Sequence, residues 1–162
     1  MKKSIVILAA AMMSLALVQN ASAQTATQAL SLSVSKVYRI AITGGTITLA
    51  ISTGTAGTDL LDVATNSVSS YAITQNNSTA TKITANLEAA MPKGKLQIAL
   101  VAGVGATSVG TVDISDGTAR NVVTAIPMGA STGNTITYTF SAKASEGLLT
   151  STSKTVTLTV VD

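Results

Sequence analysis

From Leu30 onward the chain alternates aliphatic and hydroxyl-bearing positions with a period of two. Leu30, Leu32, Val34, Tyr38, Ile40 and Ile42 take the even places, Ser31, Ser33 and Ser35 stand between them, and Lys36 is the one interruption. Successive side chains of a strand point to opposite faces, so this rhythm predicts strand with one buried face. Gly44-Gly45 predicts a tight turn. Ile47, Leu49 and Ile51, alternating with Thr46, Thr48 and Ala50, then predict a second strand that closes a hairpin on the first. Gly54 to Thr58 reads as loop, and Leu60 to Asn66 as either a short strand or a single helical turn.

The same rhythm continues through the rest of the chain. Tyr71 and Ile73, a polar turn at Gln75 to Thr79, and Ile83, Ala85 and Leu87 read as another hairpin. Met91-Pro92-Lys93-Gly94 breaks the pattern, since proline has no N–H for a ladder and glycine tolerates positive φ. Leu96, Ile98 and Leu100 resume it, and Gly103 and Gly105 mark a loop. Val112 and Ile114 lead into Asp116-Gly117, Val122 and Ile126 lead out, and Asp-Gly between alternating runs signals a hairpin. After a loop from Pro127 to Gly133, Ile136, Tyr138, Phe140 and Ala142 alternate with threonine and serine. Val156, Leu158 and Val160 do the same at the end of the sequence.

About eight or nine short strands without an amphipathic helix can bury one apolar face each only by stacking two sheets or closing a barrel. The expectation is an all-β, immunoglobulin-like antiparallel β-sandwich over residues 30–162, with a lipocalin-type barrel as the competing arrangement. Residues 24–29 read as a flexible lead.

The segment before that lead has a different character. Lys2 and Lys3 precede an apolar run from Ile5 to Val18, and Ala21-Ser22-Ala23 supplies the small-x-small pattern that a signal peptidase needs before Gln24. The run is shorter than the ~20 residues of a membrane-spanning helix. Residues 1–23 are therefore expected to be a cleaved signal peptide, with the cut between Ala23 and Gln24. The chain has no cysteine, so it carries no lipid at that point and no disulfide afterwards. The mature chain is expected to have no membrane span and to be secreted, periplasmic or held at the cell surface. Loss of Lys2 and Lys3 lowers the formal charge from +3 to +1. Without a basic cluster, that leaves no electrostatic footprint for nucleic acid.

Chemistry is constrained by the same composition. A chain without histidine or cysteine has neither Ser–His–Asp nor Cys–His catalysis, and it lacks the usual zinc, copper and haem ligand sets. Paired-carboxylate catalysis would require two of Asp59, Asp62, Glu88, Asp113, Asp116 and Glu146 to converge, which their spacing does not demand. Asp113-x-x-Asp116-Gly117 offers too few oxygens for calcium, which takes about six to eight. Gly44-Gly45 and Gly103-Val104-Gly105 precede no helix and make no phosphate cradle. Tyr38, Tyr71 and Tyr138 lie on the apolar side of their strands, where core packing is the expected role. No catalytic residue, metal or cofactor is expected.

Two stretches, Ser70-Tyr71-Ala72-Ile73-Thr74 running to Lys82–Leu87 and Ile136–Ala142 running to Thr155–Val160, resemble the WxL-type and related fimbrial-like secreted β-sandwich domains of bacterial envelopes. The resemblance implies a sandwich and an adhesive or structural surface role. The Trp-x-Leu motif is missing, because the chain has no tryptophan, so the family's attachment to peptidoglycan is not carried over. The leading expectation is a non-enzymatic surface or extracellular structural or adhesive protein, a fimbrial or matrix subunit. Its partners would be further copies of itself or other surface proteins, and Leu30, Leu32 and Val34 would form the assembly strand. The alternative is a glycan- or small-ligand-binding module using the loops Gly103–Ser108 and Pro127–Gly133.

Overall fold

The computed structural model describes residues 24–162. The expected signal peptide, with Lys2, Lys3 and Ala23, lies outside the described residues. Two compact units divide the chain at Val34 and Ser35. In the first, residues 24–34 form no strand and are exposed throughout. The second, Ser35–Asp162, holds all the described secondary structure.

Nine strands follow in order: β1 (Tyr38–Thr43), β2 (Ala64–Gln75), β3 (Thr81–Leu87), β4 (Lys95–Leu100), β5 (Thr107–Ser108), β6 (Val112–Asp113), β7 (Arg120–Ile126), β8 (Gly129–Ser141) and β9 (Val156–Val161), with a 3-10 turn at Ala144–Glu146 before β9. They make two sheets, ordered β1-β2-β8-β4-β6 and β5-β7-β3-β9, in which every pairing is antiparallel. The unit is an all-β antiparallel sandwich, as expected. Each sheet keeps two free edges, so no barrel closes.

The alternation read from the sequence becomes the core. Ile83, Ala85 and Leu87 of β3 meet Leu96, Ile98 and Leu100 of β4, Val122 and Val123 of β7, Ile136 and Tyr138 of β8, and Leu158 of β9 in one buried cluster. Ile98, Ile83 and Ile136 are fully buried, as is Ile114 just after β6. Burying a side chain of this size is worth about 1.5–3 kcal/mol, and no disulfide supplements it.

Pairing departs from the sequence reading at three places. Ile47 and Leu49 rest against the core, but residues 44–53 form no strand, and β1 pairs with β2 instead (Ile40 opposite Ile73, Ile42 opposite Tyr71). Alternation reports a half-buried extended chain and carries no information about its partner. The half of β2 that β1 meets, Ser70–Gln75, carries Tyr71 and Ile73, both anchored in the core. Likewise β2 and β3 are consecutive but lie in different sheets, so the turn at Gln75 to Thr79 crosses the sandwich. Asp116-Gly117 also joins strands of different sheets, β6 and β7. Gly117 does take the positive φ (76°) expected of such a turn, but it turns a sandwich corner. Moreover, the expected loop Pro127–Gly133 is mostly strand, because β8 begins at Gly129. The expected assembly residues Leu30, Leu32 and Val34 precede β1 and are 76%, 88% and 87% exposed.

Truncating Ile98 should cost far more than truncating an exposed valine. We expect Ile98→Ala to lower the unfolding free energy by about 2–5 kcal/mol. Val68→Ala, at a position 76% exposed, should change it by less than about 0.5 kcal/mol. Urea denaturation of both variants checks the pair.

Candidate functional site

At one end of the sandwich the loop after β4 and the connection between β7 and β8 line a half-open cavity of about 350 Å³. Its walls include Ile73, Val104, Ala106, Ile126, Pro127 and Met128. These are the two segments that the sequence singled out as binding loops. They meet because glycine lets them: a Cβ on Gly103 would lie 2.4 Å from the Ser131 hydroxyl, and one on Gly105, at φ +79°, 3.1 Å from the Pro127 ring.

Strand irregularities gather at this cavity. Against β3, strand β7 slips register between Thr81/Ile126 and Ile83/Val123. Two β7 residues, Thr124 and Ala125, there face the single residue Lys82, and the φ of Ala125, 53°, is the only positive value at a described non-glycine residue. Left-handed backbone costs a residue with a Cβ roughly 1–2 kcal/mol. Against β2, strand β8 slips between Tyr71/Asn134 and Ile73/Ser131. Bulges of this kind bend a strand and re-aim its side chains. Here both bulges adjoin the Ile126–Ser131 wall.

Few polar groups face the space. The Tyr71 hydroxyl donates to the Val101 carbonyl at 2.8 Å, and burial pushes its phenol above the ordinary value against a backbone hydrogen bond at Gly103. The Ser131 hydroxyl lies 3.0 Å from Asn134 Oδ1. Buried Gln75 ties the two sheets together at this end: its Nε2 donates to the Ile126 carbonyl and its Oε1 accepts from Asn77 N–H. No charged residue lies between Leu96 and Val112 or between Asn121 and Ala142.

A second hollow of about 300 Å³ lies between Leu60, Gly94 and Lys143. Glu146 beside it is occupied, accepting from the backbone N–H groups of Gly94 and Lys143. Asp59 lies far along the chain from Asp113, at the end of β6, and from Asp116, in the turn after it. Asp59 accepts from the Ser145 backbone and hydroxyl, which hold its carboxyl below the ordinary value. Asp113 is penalised by desolvation, yet the Ser115 hydroxyl and backbone and the Lys95 ammonium outweigh that and hold it low. Asp116 accepts from Thr118 N–H and pairs with Arg120, and it too is held low. The two aspartates of the Asp113-x-x-Asp116 motif thus serve different partners. Among the described residues, no three acidic side chains gather where a metal ion could be held.

Two of the three tyrosines sit where the sequence placed them: Tyr71 and Tyr138 are in the core. Tyr38 is only half-buried, and its hydroxyl donates to the Asp162 carboxylate, which also accepts from Lys36 Nζ at 3.0 Å. Those two hydrogen bonds hold the Asp162 carboxyl below its ordinary value and fasten the start of β1 to the end of β9. Sequence reading missed the strained Ala125 and the structural part of Gln75. A left-handed alanine leaves no compositional trace, and a glutamine in a turn reads as solvated.

Comparison with protein-family models, with curated proteins and with solved structures yields no match for the chain. The class defined by fold and site is a β-sandwich with a pocket lined by uncharged, mostly apolar residues at one end. No helix among the described residues is long and apolar enough to cross a membrane.

Relieving the left-handed alanine should stabilise the fold: Ala125→Gly should raise the unfolding free energy by about 1 kcal/mol, read by denaturant titration. The depressed carboxyls set the acid limit. Folded values of Asp59, Asp113, Asp116 and Asp162 lie below the ordinary 3.8. Their contribution is therefore complete above that pH and is lost as pH falls through the folded values. Tm should be flat between about pH 5 and 7 and fall below about pH 4, with a shallower fall in Asp59→Ala.

Proposed function

We propose that the chain is an exported, non-enzymatic structural or adhesive protein of a bacterial surface, a fimbrial or matrix subunit that joins copies of itself through edge strands. One observation carries the reading. Leu30, Leu32 and Val34 combine strand alternation with near-complete exposure, a combination that leaves apolar surface in water unless another strand covers it.

The sheet edges supply the receiving side. β5 and β6 are edges of two residues each, too short to recruit a strand. β1 and β9, the opposite edges, run six residues each. β9 has no charge and no proline, two of the devices that blunt an edge. A Leu30-x-Leu32-x-Val34 strand added there would pair its backbone and keep the serine face outward. The amino-terminal signature of residues 1–23 supports export, and the lack of histidine and cysteine supports a role without catalysis.

A second reading, a ligand-binding module, is favoured by the meeting of the two glycine-bearing loops around one cavity. The experiment that tests the first reading compares two forms by size-exclusion chromatography and electron microscopy. One is the exported protein, whose intact mass should correspond to a start at Gln24. The other starts at Ser35 and keeps the whole second unit. The longer form should give concentration-dependent polymers and the shorter one monomers. Monomers from both would overturn strand-mediated assembly.

A further inference from the structure

The cavity between Gly103–Ala106 and Ile126–Ser131 has a chemistry of its own, and its ligand class follows from what its walls lack. A sugar needs several hydrogen-bonding partners and a free aromatic face. The only polar side chains in the lining are Tyr71 and Ser131, and each already has a protein partner. An anion or cation would find no counter-charge in the lining, none of whose residues is charged. Burying an ion without one is costly. What remains is hydrocarbon: Ile73, Ala106, Ile126, Pro127 and Met128, with Val104 at the rim.

The rim and backbone fit an occupant rather than a packing fault. Val104 is 96% exposed and Met128 64% exposed, so two apolar side chains stand in water beside an apolar hollow. Methionine is unbranched and polarisable and adapts to irregular apolar surfaces. The backbone bearing this wall holds the strained Ala125 and is flanked by two bulges. Strain of that kind persists only where surrounding structure fixes it, and it concentrates at ligand sites. In size, an apolar cavity of ~150 Å³ accepts benzene. One of about 350 Å³ accommodates a fused pair of rings or a short acyl chain.

We propose that this cavity binds a small, uncharged, predominantly hydrocarbon molecule, with Val104 and Met128 closing over it. The proposal rests on the ligand-binding reading and narrows it, and it stands apart from self-assembly.

The test is a titration of the protein starting at Gln24 with naphthylmethanol, followed by NMR. N-acetylglucosamine and naphthoate, the same ring system carrying a charge, are titrated in parallel. Naphthylmethanol should saturate one site, shifting resonances of Tyr71, Val104 and Met128, and naphthoate should bind at least ~10-fold more weakly. Ala130→Trp, which fills the mouth from an exposed position, and Val104→Asp should each weaken binding ~10-fold or more. Val68→Asp, on the exposed first half of β2, should leave it unchanged. Because Ala130, Val104 and Val68 are all exposed, these variants keep the core intact.

Saturation by N-acetylglucosamine but not naphthylmethanol would overturn the hydrocarbon class and leave the ligand-binding reading standing. Binding of neither would overturn both. Binding that appears only when the chain starts at Ser35 would assign the cavity to Leu30–Val34 of a second copy and overturn the small-molecule proposal.

Discussion

Everything in this molecule depends on mutual coverage of two aliphatic faces. With one phenylalanine, no tryptophan and no cysteine, the sandwich has few aromatic plugs, Tyr71 and Tyr138 being the ones in its core, and no covalent staples. Its cohesion comes from isoleucine, valine and leucine set at every second position of strands that must find an opposing sheet. That requirement explains the crossings. β2 passes into the second sheet through Gln75 to Thr79, and β6 passes into it through Asp116-Gly117. Each crossing lets a strand cover the face its predecessor exposes. Gln75 reinforces the first of them by bonding across the gap to Ile126.

Which residues face inward was legible for the inner strands, though not for Leu30–Val34 or Ile42, which stay exposed, and which strands pair was not. The period of two at Ile83-Ala85-Leu87, Leu96-Ile98-Leu100 and Ile136-Tyr138 marks side-chain direction, a local property that follows from backbone geometry alone. Pairing is decided by long-range competition, in which a neighbour in sequence has only a small loop-closure advantage. Gly44-Gly45 therefore looked like a hairpin turn, yet β1 finds β2 across a longer loop, and Ile47 and Leu49 reach the core without a ladder. Asp116-Gly117 shows the same limit: its residues encode a turn but not the sheet to which the chain then goes.

The candidate cavity was partly legible. Glycine and proline flagged both loops, because backbone that turns sharply or approaches another segment closely needs them. The bulges in β7 and β8 were invisible, since an inserted residue changes register without changing composition. Ala125 was equally hidden. Tyr38 is the instructive case among the tyrosines. Its alternation matches that of Tyr71, but it sits on an edge strand, so its ring stays half-exposed and its hydroxyl latches onto Asp162. Depth in a sheet depends on strand order, which alternation does not record.

The absence of charged side chains from Asn121 to Ala142 and from Leu96 to Val112 has a consequence beyond packing. Attraction between exposed charges fades over a Debye length of about 8 Å at physiological ionic strength and shortens further in brine. Contact made through hydrocarbon is not screened, and sulfate-type salts strengthen it. Association through the hydrocarbon of this pocket would hold from dilute fresh water to concentrated saline.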